Sequence, residues 1–169
     1  MLRHYQMLAD YNRWANEQVY AACAALTDAD YRTDKGAFFG SAHRTLNHIL
    51  AADRIWLKRL SGTGDAPTSL DAVLYDDLDG LRAARVVDDR RIIDWIDGLT
   101  AQALAGLVSY TPITVATPIT QALSPLLAHV FNHQIHHRGQ VHATLTALGQ
   151  PSLALDLVYF LRREGQRWQ

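Results

Sequence analysis

Residues 129 to 140 read His129-Val130-Phe131-Asn132-His133-Gln134-Ile135-His136-His137-Arg138-Gly139-Gln140, and four of the chain's eight histidines fall among them. A neutral imidazole is a good metal ligand, and it is the side chain that titrates nearest neutral pH. His133 and His137 are four positions apart. On a helix that spacing sets them one turn apart on the same face, where both rings can reach one ion. The same spacing also arises by chance on solvated faces, so the surroundings must be considered.

Helical phase gives those surroundings. At about 100° per residue, Leu123, Leu126, Val130, Val141, Thr144 and Leu148 form one stripe that reads as a core-facing surface. His133, His137 and Gln140 lie within the stripe. His129 lies on its edge, His136 further round, and His142 near the opposite face. A buried polar group without a partner costs ~1–3 kcal/mol. A metal ion would satisfy the two imidazoles. Core histidines bonded to each other, to Asp or to water explain the pattern equally well at this stage.

The chain has 169 residues, 49% of them hydrophobic and 20% charged. That balance is ordinary for a globular protein, and the length fits one domain spanning 1–169 with a sizeable core. The net charge of −1 offers no basic field for nucleic acid. Cys23 is the sole cysteine, which excludes a disulfide framework and reads as a packed small side chain. No apolar run reaches the roughly 18 residues of a membrane span. The first residues lack a signal-peptide core, so a cytoplasmic location is expected.

Residues 3 to 26 carry a helical pattern through Leu8, Tyr11, Ala15, Val19, Ala22 and Leu26, with Trp14 extending the face. Residues 27 to 40 are polar and read as a loop. Ser41 is a good N-cap for a second helix that Gly62 would stop. Asp53 falls inside the apolar face of that helix, which is unusual for an unpaired carboxylate. His48 lies towards its other side, so periodicity does not aim it at the core. A third helix is expected after Asp76, running to Gly98, with Thr100 capping a short extra turn. Its Arg82, Arg85, Asp88, Asp89, Arg90, Arg91 and Asp94 read as a solvated face of mixed sign.

From 107 to 120, alternation of Val108 and Tyr110, then Val115, Thr117 and Ile119, predicts a short extended segment or hairpin. Pro112 and Pro118 forbid a continuous helix there. The fourth long helix is expected to begin between Gln121 and Pro125 and to end at Leu148. Gly139 in its middle implies close approach of another backbone or room for a ligand. Pro151 is expected to open a short fifth helix. The fold class is therefore all-α: an antiparallel four-helix bundle with a short extra C-terminal helix and a hairpin-like insert. Bundles build metal sites from side chains on facing helices.

Three segments carry a family resemblance. Tyr11-Asn12-Arg13-Trp14-Ala15-Asn16, the stretch Leu46-Asn47-His48-Ile49-Leu50-Ala51-Ala52-Asp53-Arg54-Ile55-Trp56, and Asn132 to Gln140 together resemble the DinB-like (DinB/YfiT) superfamily of bacterial metal-binding bundles. The resemblance spans nearly the whole chain, and the last segment is its most specific part. It implies one divalent transition metal ion per chain, zinc or nickel first, held by His48, His133 and His137. It prefers His48 to His43 as the third ligand. It leaves His129 and His136 as alternates or outer groups. It gives Asp53 and Asp156 as orienters of imidazole or bound water, with an ion pair, for example to Arg138, as the other role. It further implies a metal-dependent S-transferase using a low-molecular-weight thiol, with His136 or Asp53 assisting proton transfer, and a homodimer. A non-catalytic metal-binding stress-response protein and a metal-dependent hydrolase are the alternatives.

Overall fold

The structure is a computed structural model that describes residues 1–113 and 115–169. Thr114, inside the expected extended segment, lies outside the described residues. Four long helices make the body: α1 (Leu2–Cys23), α3 (Ala42–Ser61), α4 (Leu78–Asp97) and α6 (Leu123–Ala147). Short helices α2 (Asp28–Arg32), α5 (Ala101–Leu104) and α7 (Leu157–Arg163), a two-stranded hairpin and a final 3-10 turn (Gln166–Trp168) complete the order.

Local chemistry explains most boundaries. Ser41 caps α3, its hydroxyl accepting from Arg44 N at 3.3 Å, and Gly62 ends α3 with φ +74°. Thr100 caps α5 through Ala103 N at 3.0 Å. Helix α1 stops at Cys23 rather than residue 26, because Thr27 caps the new helix α2 by accepting from Asp30 N at 3.1 Å. The stretch read as loop thus contains one helical segment. Helix α6 begins at Leu123, so Pro125 sits in its first turn and Ser124 instead meets the Tyr5 hydroxyl. The expected fifth helix starts six residues late, at Leu157 and not at Pro151. Its backbone is engaged elsewhere: Leu153 N donates to His142 Nε2 at 3.1 Å, and Leu155 O accepts from Tyr11 Oη at 2.8 Å.

The hairpin pairs β1 (Leu107–Tyr110) with β2 (Ile119–Ala122), antiparallel, from Leu107↔Ala122 to Tyr110↔Ile119. Pro112 and Pro118 lie in its loop, where no ladder donor is needed. Tyr110 packs edge-on against Trp56 of α3.

Contacts along the helices fix the bundle's directions. Helix α1 packs on α4 and α6, and α3 packs on the same two. The α3 and α6 partners run oppositely, as His48 meets His137 while Trp56 meets His129. The α1 and α6 partners run together, as Tyr5 meets Ser124 and Asn16 meets Arg138. Each long helix therefore has one antiparallel and one parallel neighbour. The parallel α3–α4 pair requires the long crossover 62–77, and that crossover passes the histidines.

The core is layered. One apolar cluster holds Val19, Leu46, Leu50, Leu81, Val141 and Leu145. Another holds Tyr5, Leu57, Ile92, Ile96, Leu127 and Phe131. Between them every long helix contributes buried polar residues: Asn12 and Asn16, Asp53, Arg85 and Asp89, Gln134 and Arg138. Phe160 of α7 seals Tyr11 and Trp14 of α1. Cys23 is packed in the first cluster, and burial pushes its thiol up to about 12.

The mixed-sign face of α4 is the main correction. Arg85, Asp88 and Asp89 are buried, not solvated. Besides the pairs Arg85–Asp89 and Arg91–Asp88 within α4, they meet Asp53 and Arg54 on α3, which a one-helix reading cannot reach. At Gly139 the structure excludes one of the two expected reasons, close approach of another backbone. A Cβ there would meet nothing within 4 Å.

Candidate metal centre

His48, His133 and His137 come together, with ligand-capable atoms within 4.8 Å of one another. His48 Nε2 stands 3.1 Å from His133 Nε2 and 3.2 Å from His137 Nε2. Nitrogens bound at ~2.0–2.1 Å to one tetrahedral ion are about 3.3 Å apart. The observed spacing is close to that without adjustment.

Outer partners hold two of the rings. His48 Nδ1 lies 2.6 Å from the Leu70 carbonyl, which can only accept, so Nδ1 carries the proton. His137 Nδ1 lies 2.8 Å from Gln140 Oε1, which also accepts. In both neutral rings Nε2 is then a lone pair, and the two lone pairs face each other. His133 can supply at most one hydrogen between them. Two fixed acceptors and a third nitrogen share at most one proton, and a cation would resolve that shortage. The donor set fits a divalent transition metal. Fixing the far nitrogen of a ligand imidazole is the usual task of its outer partner.

Further contacts position the rings. Phe39 stacks on His48 with centroids 3.9 Å apart. Asn47 pins the crossover that carries Leu70: its Oδ1 accepts from Leu74 N and Tyr75 N, and its Nδ2 donates to Tyr75 O. Sequence reasoning missed Phe39 and the Leu70 carbonyl. Both lie on irregular segments where no period exists. A buried Asn beside His48 was the one available signal.

The remaining site residues fall elsewhere. His43 Nε2 lies 3.3 Å from Tyr75 O, away from the cluster. His129 packs on Trp56, and its ring centroid is 5.9 Å from that of His133. His136 Nε2 accepts from Gln140 Nε2 at 3.2 Å, and its ring meets that of His137 edge-on with centroids 4.8 Å apart. His142 bonds Ser152 and Leu153. Asp53 does not orient a ligand imidazole: it binds Arg85 and accepts from Gln134 Nε2 at 2.8 Å. Asp156 is exposed at the start of α7 and meets neither the histidines nor Arg138. Arg138 donates to Asn12, Asn16 and Gln134.

A cavity of about 470 Å³ opens over the cluster, walled by all three histidines. Phe38, Phe39, Leu70 and Ile113 make it largely apolar, and Ser69 and Asp71 add the polar part.

Burial sets the electrostatics. It lowers His133 to about 3, helped by the neighbouring His137 and His48. It lowers His137 to about 4, partly offset by Gln140. His48 is lowered for the same reason and is held back by its bond to Leu70. Neutral imidazole is the coordinating form. A solvated histidine site would lose metal from about pH 6.5 downward. Here all three imidazoles are held below that range, so the fall in zinc affinity is expected to begin at a lower pH than in a solvated site and to be steep as the pH nears the His137 value of about 4. Competition titrations across that range check this. A steady decline beginning at neutral pH would show that the rings are hydrated.

An all-α bundle whose facing helices turn three imidazole nitrogens into a cavity belongs to the class of bundle proteins with an open candidate metal site. The chain belongs to the DinB family, whose family model matches residues 1–168. It is also similar to Protein DinB of Bacillus subtilis (strain 168), at 27% identity over 163 residues and 91% of each chain. No described helix is long and apolar enough to cross a membrane.

Proposed function

We propose that the chain is a metal-dependent transferase that joins a low-molecular-weight thiol to a small electrophile. His48, His133 and His137 are the ligands in this reading, with zinc or nickel as the ion. The observation that carries it is the three-nitrogen cluster forming the wall of a cavity of about 470 Å³. Structural zinc sites are usually closed by four protein ligands, whereas reactive sites keep a position open. When bound, a divalent ion lowers the pKa of a thiol and so supplies a nucleophile near neutral pH.

The chain's own residues would do the rest. Leu70 O and Gln140 hold two imidazoles in the coordinating tautomer. Phe38, Phe39 and Ile113 would exclude water from an apolar electrophile. In the transfer the sulfur forms a bond to carbon, the leaving group departs with its electron pair, and the thiol proton goes to solvent at the open mouth. Asp53 is not available for that proton, because it is buried against Arg85. Asp71 lines the cavity but is a weak base, since the Ser69 hydroxyl holds its carboxyl below the usual range. This also disfavours hydrolysis by a carboxylate base.

Conjugation of monobromobimane with a panel of small thiols tests the proposal. Zinc- or nickel-loaded protein is expected to accelerate the reaction for at least one thiol, and a chelator or His137→Ala is expected to remove the acceleration. Metal-loaded protein that accelerates none of them would favour a non-catalytic metal-binding protein.

A further inference from the structure

The cavity over the histidines does not end at its own wall. Ile113 is shared with a second groove of about 490 Å³. The crossover continues from one to the other, with Ser69, Leu70 and Asp71 on the first and Ala66, Pro67 and Thr68 on the second. The two grooves lie side by side along α3. His48 walls the first and Lys58 and Arg59 wall the second. Ten or eleven residues at 1.5 Å each separate them by roughly 15 Å along the helix axis.

Their charges are opposed. The metal-end cavity contains Asp71 and no cation among its described lining residues. The second groove contains two cations and no carboxylate among its own. Neither Lys58 nor Arg59 forms an ion pair among the described residues, although Arg54 on the same helix does. Asp65, next to this wall in sequence, pairs with neither. Arg59 is nevertheless held in place. Its guanidinium lies 4.9 Å from the Trp56 ring and 5.0 Å from the Tyr110 ring, and it donates to Thr111 O at 3.3 Å. A cation fixed by two aromatic rings loses little freedom when it meets an anion.

We infer that the paired grooves take one extended ligand, with its metal-binding donor at the histidines and an anionic tail between Lys58 and Arg59. The ligand class is a small thiol with a carboxylate at its far end. The inference rests on the metal-site reading above and narrows its substrate class. Asp71 repels the tail from the metal end, so the polarity of the two grooves also sets the ligand's direction. The apolar Ile113 between them suits an uncharged middle.

Cobalt-loaded protein gives a readout that does not depend on activity, since the visible spectrum of the ion changes when a new donor binds. The probes are mercaptoacetate, mercaptohexanoate and mercaptoundecanoate, each against the hydroxyl-tailed thiol of equal length, and a matching set with hydroxamate in place of the thiol. A chain long enough to span the grooves is expected to bind about tenfold more tightly with a carboxylate tail than with a hydroxyl tail. The shortest pair is expected to show no such gain. Raising the salt concentration should shrink the gain. In the double variant K58Q/R59Q the long carboxylate and hydroxyl probes are expected to bind alike. Equal binding of the two tails at every length in the parent protein would overturn the inference, as would a gain that survives K58Q/R59Q. A tail preference seen with hydroxamates while no thiol binds would uphold the anionic subsite and overturn the thiol reading. If neither head group alters the cobalt spectrum, the open metal position is absent and both fall.

Discussion

Alanine at His48, His133 or His137 is expected to lower zinc or cobalt affinity by more than the ~10–100-fold typical of losing an outer partner. The three Nε2 atoms share one small space, so removing one leaves two ligands competing with solvent. The other histidines should separate from these by their contacts. His142→Ala should leave affinity nearly intact, because its ring bonds Ser152 and Leu153. His136→Ala removes an edge-on ring contact and a bond to Gln140 but leaves His137 Nδ1 bonded, so its effect should be smaller than that of Gln140→Ala, which frees His137 Nδ1 directly. His129→Ala removes a ring that packs on Trp56 and should have a modest effect. Metal titrations of these variants decide the ranking. Loss of binding in His136→Ala with retention in His137→Ala would show that the wrong face of α6 holds the metal. An unaffected His48→Ala would remove α3 from the site.

Arg85→Met is expected to destabilise the metal-free protein by ~3–5 kcal/mol, the usual result of breaking a buried pair from one side. Arg85 is 2% exposed and joins Asp53 to Asp89, whose Oδ1 lies 3.1 Å from its Nη2. Asp89 accepts from Asn12 and Asn16, both of which accept from Arg138. Arg138 donates to Gln134, and Gln134 donates back to Asp53. The ring closes through all four long helices with two cations and two anions. Removing one cation leaves two carboxylates buried with a single counter-charge. For a chain of this size the melting temperature should fall by roughly 6–20 °C.

The pH dependence of that loss separates it from a simple packing defect. Burial already raises Asp53 to about 6 and Asp89 in the same direction, with Arg85 opposing both. A carboxyl raised in the folded state is protonated there while it is ionised in the unfolded chain. Stability then falls as pH rises from about 4 towards the folded value. Without Arg85 both carboxyls should rise further. The deficit of Arg85→Met against the parent should therefore be smaller at pH 5 than at pH 8. Denaturant titrations at the two pH values measure it. A deficit below ~1 kcal/mol, equal at both, would show that the ring is hydrated and contributes little.

Particular residues show how far the sequence could be read. Ser41, Gly62 and Thr100 marked helix ends correctly, because capping is a local hydrogen-bond problem. Pro112 and Pro118 located the hairpin loop for the same reason. Pro151 misled, because backbone bonds to Tyr11 and His142 keep the following residues extended. Charge pattern misled more seriously in α4. Arg85, Asp88 and Asp89 carry the composition of a solvated face, yet each is buried and paired with an opposite charge on α3 or on α4 itself.

The sequence by itself determined the helical class, the four long helices, the insert before the last of them, and the shared face of His133 and His137. These follow from periodicity, caps and prolines, which act within a few residues of chain. Family resemblance added His48, which periodicity left off the core. Only the tertiary structure decided that His48 faces the pair, that Leu70 and Gln140 fix the tautomers, and that Asp53 belongs to a charge ring and not to the histidines. Those facts depend on which helices are neighbours and on where the 62–77 crossover runs. Neighbour choice is settled by burying the apolar layers and pairing the polar one, a condition on the whole chain that no local window contains.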